Sequence, residues 1–184
     1  MQLEAKTTAL VLIDLQKGVL GMPVQPYPAA DIYARSKQLA RRFRAAGAPV
    51  VQVRVSFAKD LGDAPSMTVD QPSNFTSLPA GWDEFPEPLA ASDVVVTKRH
   101  WGAFHGTDLD LQLRRRGVRR IVLGGIATHI GVESTARSAF EHSYELVIAE
   151  DLCSGLSAET HAFSFKYIFP RLARVTTAEA ITLK

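Results

Sequence analysis

Two residues that could exchange a proton with a substrate each stand at the end of an apolar segment. Asp14 follows the apolar run 9–13, and Lys98 follows the valine-rich run 93–97. Because the carboxyl ends of parallel strands meet at one edge of a sheet, we expect the two side chains to form one charged pair there. A lysine beside a carboxylate can keep it ionised or orient a reacting group. Taken alone, Asp14 also fits a helix N-cap or loop residue, and Lys98 fits an exposed strand end.

Residues 121–139 combine a short buried strand with the start of a helix. The run 121–123 is apolar and β-branched, which is typical of a strand buried on both faces. Gly124 and Gly125 then interrupt the strand, and after Thr128 apolar residues recur at helical spacing. A strand, a tight turn and a helix N-terminus present backbone N–H groups at the edge of the sheet. That arrangement suits a reaction in which negative charge develops on an oxygen.

Two further side chains could contribute chemistry. Arg54 is a charged residue inside the strand pattern 49–55, so its guanidinium could point into a pocket and bind a substrate carboxylate through two hydrogen bonds. An arginine at the surface or in a subunit interface explains the same pattern equally well. Cys153 is the single cysteine, and its type is most often a small buried hydrophobe. As a nucleophile it would need a lowered pKa.

The spacing of the apolar segments predicts the fold. Strand and helix patterns alternate six times, which requires a mostly parallel sheet covered on both faces. Right-handed crossovers then give a three-layer, doubly wound α/β/α fold, in one domain over residues 1–184. Residues 57–92 form a lid or subunit-contact loop carrying Trp82 and Phe85, unless they are a plain surface excursion. Besides the helix after Thr128, the predicted helices are 29–46, 108–116, 157–168 and one from near Thr177, and the predicted strands are 9–13, 49–55, 93–97, 121–123, 146–149 and 172–175.

The composition is that of an ordinary globular domain. Apolar residues make up 46% of the 184 and charged residues 22%, so a sizeable core can form. The formal net charge of +2 is too small to indicate binding to nucleic acid or to a membrane surface. One cysteine excludes an internal disulfide and is typical of a reducing compartment. Since no signal peptide or long apolar span is evident, we expect a cytoplasmic protein.

Residues 125–139 resemble the active-site segment of the isochorismatase-like hydrolases, the superfamily of nicotinamidases, N-carbamoylsarcosine amidases and isochorismatases. Their pattern reads G-[IV]-x-T-x-x-C-V-x-x-T-A-x-x-A, and the chain departs from it at Gly131, where the amidases place a nucleophilic cysteine. Residues 12–16 resemble the first superfamily motif, which ends in D-x-Q. Residues 98–109 resemble the second, K-x-x-x-[SG]-A-F-x-x-T-x-L. The run I-G-V-E-S-T-A-R, residues 130–137, is similar to that of the YecD-like members.

The resemblance implies a sheet of six strands in the order 3-2-1-4-5-6 and assigns roles to individual residues. Asp14 would be the catalytic acid or base, and Lys98 the second catalytic residue. The peptide bond between Ile126 and Ala127 would be cis, and the N–H groups of Ala127 and Gly131 would point at one spot as oxyanion donors. Three further side chains would line the substrate pocket: Trp101, Phe104 and His129. Trp101 and Phe104 also fit the core, and His129 could be an extra acid or base.

The residues at the end of the second predicted strand argue against a metal site. Nicotinamidases bind a metal there through D-x-H, whereas this chain has Val55, Ser56 and Phe57. Neither a carboxylate nor an imidazole is available at those positions. We therefore expect no metal and no other cofactor.

Gly131 decides which reaction is expected, because a residue without a side chain closes the covalent route of the amidases. The same glycine occurs in isochorismatases, so the resemblance implies nucleophile-free hydrolysis of a small molecule, of the vinyl-ether type, with Asp14 as acid or base. Two alternatives stay open: a non-catalytic relative that binds a small ligand or serves as an oligomeric partner, and an amidase that uses Cys153 or water. By analogy with the superfamily, we also expect a homo-oligomer, either a dimer or a tetramer.

Overall fold

A six-stranded parallel sheet forms the centre of the structure, a computed structural model that describes residues 1–72 and 76–184. The strands of the protein are β1 (Gln2–Leu3), β2 (Thr8–Ile13), β3 (Val50–Val55), β4 (Val94–Lys98), β5 (Arg120–Ile126), β6 (Glu145–Ser154), β7 (Arg174–Thr176) and β8 (Thr182–Leu183). The central sheet has the order β4-β3-β2-β5-β6-β7, and β1 pairs separately with β8. Counted along the chain, the six central strands have the predicted order 3-2-1-4-5-6, which is confirmed.

Helices cover both faces of the sheet, which confirms the three-layer α/β/α architecture. They are α1 (Lys17–Leu20), α2 (Ala29–Ala45), α3 (Leu109–Arg115), α4 (Glu133–Glu141), α5 (Ala158–Phe163) and α6 (Phe169–Leu172). On one face α2 buries Leu39 and Phe43 against the sheet. On the other face α3, α4 and α6 bury Leu109, Ala136 and Phe169. The two inner strands β2 and β5 are buried almost throughout, as a parallel sheet covered on both faces requires.

The two glycines of β5 allow β2 and β5 to approach closely where the site forms. Gly125 has φ +134°, and a Cβ added there would lie 2.2 Å from the carbonyl oxygen of Ile13. A Cβ on Gly124 would lie 2.7 Å from the Cβ of Leu152 on β6. Any larger residue would therefore push the strands apart. The glycines bring the residue that follows β2, Asp14, next to the turn that follows β5.

The segment 57–92 is irregular, as predicted: the structure describes no helix or strand in residues 57–72 and 76–92, while 73–75 lie outside the described residues. Its end is docked on α1. Gly18 donates its N–H to the carbonyl oxygen of Trp82 at 2.9 Å, and Lys17 donates to that of Glu84 at 2.8 Å. The indole covers Gly18 so closely that a Cβ there would lie 1.9 Å from the ring. Whether the segment acts as a lid or a subunit contact stays a prediction.

Two predicted helices differ from the structure. The helix expected over 157–168 is divided, because α5 gives way to a wider turn of the i→i+5 type over Ser164–Ile168. The terminal helix expected from near Thr177 is wrong. Residues there turn and form β8 instead, since Lys184 donates its N–H to the carbonyl oxygen of Leu3 at 3.0 Å and the last strand pairs with the first. Among residues 1–72 and 76–184, no helix is both long and apolar enough to span a membrane.

Candidate active site

Asp14 and Lys98 form a buried ion pair at the carboxyl edge of the sheet, which confirms the predicted pair. The Nζ atom of Lys98 donates to Oδ2 of Asp14 at 2.7 Å and to the carbonyl oxygen of His100 at 3.1 Å. Asp14 is 5% exposed and Lys98 is 2% exposed. Asp14 has φ +56°, and its N–H donates to the carbonyl oxygen of Val53 at 2.9 Å, so the chain leaves β2 in a fixed direction. The carboxylate follows a strand end and caps no helix.

Two opposing effects set the pKa of Asp14. Burial disfavours the ionised form, while the charge and the hydrogen bond of Lys98 favour it; burial prevails and raises the pKa to about 6. The second oxygen, Oδ1, is buried and has no hydrogen-bond partner within the described part of the chain. A carboxyl group with one free oxygen and a pKa near neutrality can both give and take a proton.

The turn after β5 lies directly beside this pair. The peptide bond between Ile126 and Ala127 is cis, as predicted. A wide turn over Thr128–Val132 follows and leads into α4, with the N–H groups of Ile130 and Val132 both donating to the carbonyl oxygen of Ala127, at 3.1 and 3.2 Å. The far end of the turn is held by Thr135 of α4.

The hydroxyl of Thr135 connects the turn to the segment after Lys98. It donates to the carbonyl oxygen of Gly131 at 2.6 Å and accepts from the N–H of Ala103 at 3.1 Å. All three residues are buried. The three predicted motifs therefore meet at one place, although they are far apart in the sequence.

Gly131 faces the carboxylate of Asp14. A Cβ built on Gly131 would lie 3.4 Å from Oδ2 of Asp14, 3.4 Å from the carbonyl oxygen of Trp101 and 3.0 Å from Cγ2 of Ile13. Its φ does not lie in the left-handed region, so the backbone does not require a glycine here. Position 131 thus points at the acid, where a nucleophile would have to stand.

Gln16 fixes the ends of β2 and β3 to each other and to the segment 57–92. Its amide accepts from the N–H of Val55 at 2.8 Å and donates to the carbonyl oxygens of Val55 and Trp82, at 2.9 and 3.3 Å. Gln16 is completely buried, so these bonds satisfy an amide that could not otherwise be placed there. The glutamine of the D-x-Q pattern supports the site and does not face it.

The three residues expected to line a pocket, Trp101, Phe104 and His129, differ in exposure and in what they contact. Trp101 is 65% exposed, and its carbonyl oxygen is the part that faces Gly131. Phe104 belongs to the core and stacks on His142 with ring centroids 4.9 Å apart, so its pocket role is not supported. His129 lies in the turn itself, half-buried. Its Nδ1 has no partner among the described residues, and burial lowers its pKa.

Arg54 does not reach the pair, contrary to the pocket role considered for it. In the register of β3 and β4, Val55 stands beside Lys98 and Arg54 beside Thr97, so Arg54 and Lys98 point to opposite faces of the sheet. The guanidinium donates to Oγ1 of Thr97 at 3.1 Å and lies 3.9 Å from Oδ2 of Asp83. It anchors the segment 57–92.

Cys153 is not placed to act as a nucleophile. Its thiol is completely buried in the core and donates to the carbonyl oxygen of Ala149 at 3.4 Å. Burial raises the pKa of the Cys153 thiol well above its usual range. The group therefore stays protonated at neutral pH, and an amidase mechanism through this residue is not supported.

His161 is a polar residue near the site that the sequence did not single out. It lies in α5, is 3% exposed, and hydrogen-bonds through Nδ1 to the hydroxyl of Thr128 at 2.9 Å. Burial lowers its pKa to about 4, so the imidazole is neutral at physiological pH. A lone histidine in a helical pattern carries no signal of such a contact. Within residues 1–72 and 76–184, no group of three or more His, Cys, Asp or Glu side chains could hold a metal ion.

The comparisons with known proteins agree with this geometry. The family model described as the Isochorismatase domain matches residues 8–180. The isochorismatase family protein YecD of Escherichia coli O157:H7 is 52% identical over 183 residues, which cover 98% of this chain and 97% of that protein. An isochorismatase family protein from Burkholderia thailandensis has a similar structure, with a TM-score of 0.92, 45% identity and coverage of 96% of this chain and 94% of that one.

A more distant solved structure is that of a cysteine hydrolase from Pseudomonas syringae pv. phaseolicola 1448A. It has a TM-score of 0.82 and 25% identity, and the match covers 96% of this chain and 91% of that one. The likeness thus extends over nearly the whole length of each relative. The chain belongs to the isochorismatase family, and it is a hydrolase.

Proposed function

We propose that this hydrolase acts on a vinyl ether or a similarly activated small molecule, without a covalent enzyme intermediate. The observation that carries the proposal is the arrangement around Asp14. Its Oδ1 is free, its pKa lies near 6, and the position that faces it, Gly131, has no side chain that could attack a substrate. Perturbed acids of this kind are concentrated at functional sites.

In the proposed reaction Asp14 is a general acid. At pH 7 about a tenth of a carboxyl group with a pKa near 6 is protonated. This form gives its proton to the terminal carbon of the C=C–O unit, whose π electrons form the new C–H bond and leave an oxocarbenium ion. Water adds to the cationic carbon and returns a proton to the carboxylate. The hemiketal that results breaks into an alcohol and a carbonyl compound.

The neighbours of Asp14 have separate parts in this proposal. Lys98 stabilises the carboxylate that exists between the two proton transfers, because its ammonium group is 2.7 Å away. The N–H groups of Ala127 and Gly131 bind an oxygen of the substrate. The attacking water or the substrate would stand next to Gly131, where the carbonyl oxygen of Trp101 also faces.

Two alternatives to this function remain distinguishable. An amidase that uses water would employ Asp14 as a base, and the same pair with Lys98 would support it. A non-catalytic ligand-binding relative would have no need of an acid with a raised pKa, so the state of Asp14 favours an enzyme. An amidase that uses Cys153 is disfavoured by the burial and the raised pKa of that thiol.

The experiment that tests the function is a substrate screen with product detection. Purified protein is incubated with isochorismate, other vinyl ethers and small amides, next to Asp14→Asn and, as a matched control, Asp31→Asn on the exposed side of α2. We expect vinyl-ether hydrolysis that falls by a factor of about 10² to 10⁴ in Asp14→Asn and is unchanged in Asp31→Asn. Turnover of amides alone would overturn the proposed reaction, and no turnover of either class would favour the binding protein.

We also propose that residues 1–184 form one domain, that the protein is cytoplasmic, and that it assembles as a homo-oligomer. Family analogy supports the oligomer, and so does the exposure of several large apolar side chains, among them Phe163 and Tyr167. Light scattering at micromolar concentration measures the mass of the assembly. A mass near 20.1 kDa, that of one chain, would contradict the oligomer.

A further inference from the structure

A second buried polar contact holds the start of the turn after β5. Thr128, the first residue of the turn, is completely buried, and its Oγ1 lies 2.9 Å from Nδ1 of His161. His161 comes from α5, 33 positions later, so the contact joins the turn after β5 to another helix. The ring is packed between Phe165, with centroids 4.6 Å apart, and Tyr27, at 6.2 Å.

The hydrogen-bonding chemistry of the imidazole shows that packing alone does not account for a histidine at position 161. A neutral imidazole has one donor and one acceptor nitrogen. Nδ1 is bonded to Thr128, but Nε2 is buried without a partner within the described residues, and the nearest carboxylate oxygen, Oε1 of Glu150, is 3.8 Å away. An unpaired buried nitrogen lowers stability, and an apolar ring of similar size would avoid that penalty.

We propose that His161 is a positioning residue that holds the turn 127–131 against Asp14 through the hydroxyl of Thr128. The turn is then fixed at both ends: His161 holds Thr128 at its start, and Thr135 holds the carbonyl oxygen of Gly131 at its end. Fixing both ends sets the direction of the amides of Ala127 and Gly131. This inference rests on the proposed function for the purpose of the turn, but its test needs no substrate.

Amide hydrogen exchange in the otherwise unchanged protein measures how firmly the turn is held. The N–H of Val132 donates to the carbonyl oxygen of Ala127 across the turn, and the N–H of Leu10 donates to that of Pro49 within the sheet. The first reports opening of the turn and the second reports opening of the sheet. The ratio of the two exchange rates therefore separates a local effect from a loss of overall stability.

Three variants give the proposal its test. In Thr128→Val, which keeps the shape of the side chain, and in His161→Phe, we expect the exchange of Val132 to accelerate about tenfold or more relative to Leu10. In His161→Asn, whose side-chain amide reaches about where Nδ1 lies, we expect the ratio to return to within about threefold of the original. Equal acceleration at both amides, no change at Val132, or the absence of recovery in His161→Asn would overturn the positioning role.

These outcomes do not depend on the identity of the reaction. If the substrate screen fails while the exchange ratio changes as expected, the proposed reaction is wrong and the positioning role stands. If a substrate is found and the exchange ratio does not change, the positioning role is wrong and the proposed reaction stands. Thr128→Val leaves the ring in place, so the test remains available even if His161→Phe does not fold.

Discussion

The ammonium group of Lys98 lies 2.7 Å from a carboxylate oxygen of Asp14, and both side chains are almost completely buried. β3 separates the two parent strands, β4 and β2, so the lysine reaches across the end of β3 to form the pair. Two buried charges that hold each other leave an uncompensated charge when either is removed. The pair therefore links the state of the proposed acid to the stability of the fold.

Replacement of Lys98 should change how stability depends on pH. In Lys98→Met the pKa of Asp14 should rise above about 6, because the group that lowers it is gone. A folded-state pKa above the unfolded value of 3.8 gives stability that is present below that value and is lost as the pH rises through the folded pKa. The loss should thus continue to higher pH than in the original protein, and at pH 8 the variant should be less stable by about 3–5 kcal/mol.

Urea unfolding at pH 5 and pH 8 measures this effect. Lys37→Met is the matched control, since Lys37 forms an exposed pair with Glu87 at 2.6 Å and its removal should change stability by less than about 1 kcal/mol at either pH. If Lys98→Met were destabilised equally at the two pH values, the protonation of Asp14 would not be linked to its partner.

Gly125→Ala should disrupt the junction between β2 and β5. Its φ of +134° and the 2.2 Å approach of an added Cβ to the carbonyl oxygen of Ile13 together require the strands to move apart. We expect a loss of at least about 3 kcal/mol of unfolding free energy, or failure to fold. Gly47→Ala is the control, because φ there is +71° but no atom lies within 4 Å of the added Cβ. It should cost only about 1 kcal/mol, and equal losses in the two variants would refute the close-approach argument.

His161→Asn should remove a pH dependence of stability whose sign is opposite to that contributed by Asp14. The folded-state pKa of about 4 lies below the ordinary value of 6.5, so between these values the unfolded chain binds a proton that the folded chain does not. The original protein therefore loses stability as the pH falls from 6.5 to 4, by up to about 3 kcal/mol from this group. The variant lacks this loss.

The measurement is the difference in unfolding free energy between the original protein and His161→Asn at pH 7 and pH 4.5. The difference should shrink as the pH falls. Asp14 contributes a slope of the other sign over pH 4–6, which both proteins share and which cancels in the difference. A difference independent of pH would mean that His161 titrates normally in the folded protein.

The positions of the apolar segments were sufficient for the layers of the fold and for the Asp14–Lys98 pair, because both depend on where apolar strands end. The strand order came from the resemblance to the superfamily. The sequence was not sufficient for Arg54. Adjacent strand residues point to opposite faces, and the register that pairs Val55 with Lys98 is set by tertiary contacts. The bond between Thr128 and His161 joins residues 33 positions apart on different elements, which no local pattern records. The terminal helix failed because pairing of β8 with β1 outweighed local propensity.

Gly131→Cys tests whether the site can still activate a nucleophile. The backbone at 131 accepts a side chain, and the new Cβ would have two ordinary contacts at 3.4 Å and one tight contact at 3.0 Å with a methyl group of Ile13. The variant should therefore fold. Its introduced thiol would stand at the start of α4, where the helix dipole and the ammonium group of Lys98 favour the thiolate and Asp14 can accept the proton. The pKa of the thiol should therefore fall below about 8.5, the value of a free cysteine.

Iodoacetamide labelling followed by mass spectrometry of the peptides measures the result. The chain supplies its own control in Cys153, whose thiol is buried and whose pKa is raised. We expect labelling at position 131 to be faster than at Cys153 by about tenfold or more at pH 7, because the thiolate is the reacting species. Equal labelling of the two thiols in a folded variant would mean that the turn, the helix start and the buried pair no longer act together on position 131. That outcome would favour a ligand-binding protein over an enzyme.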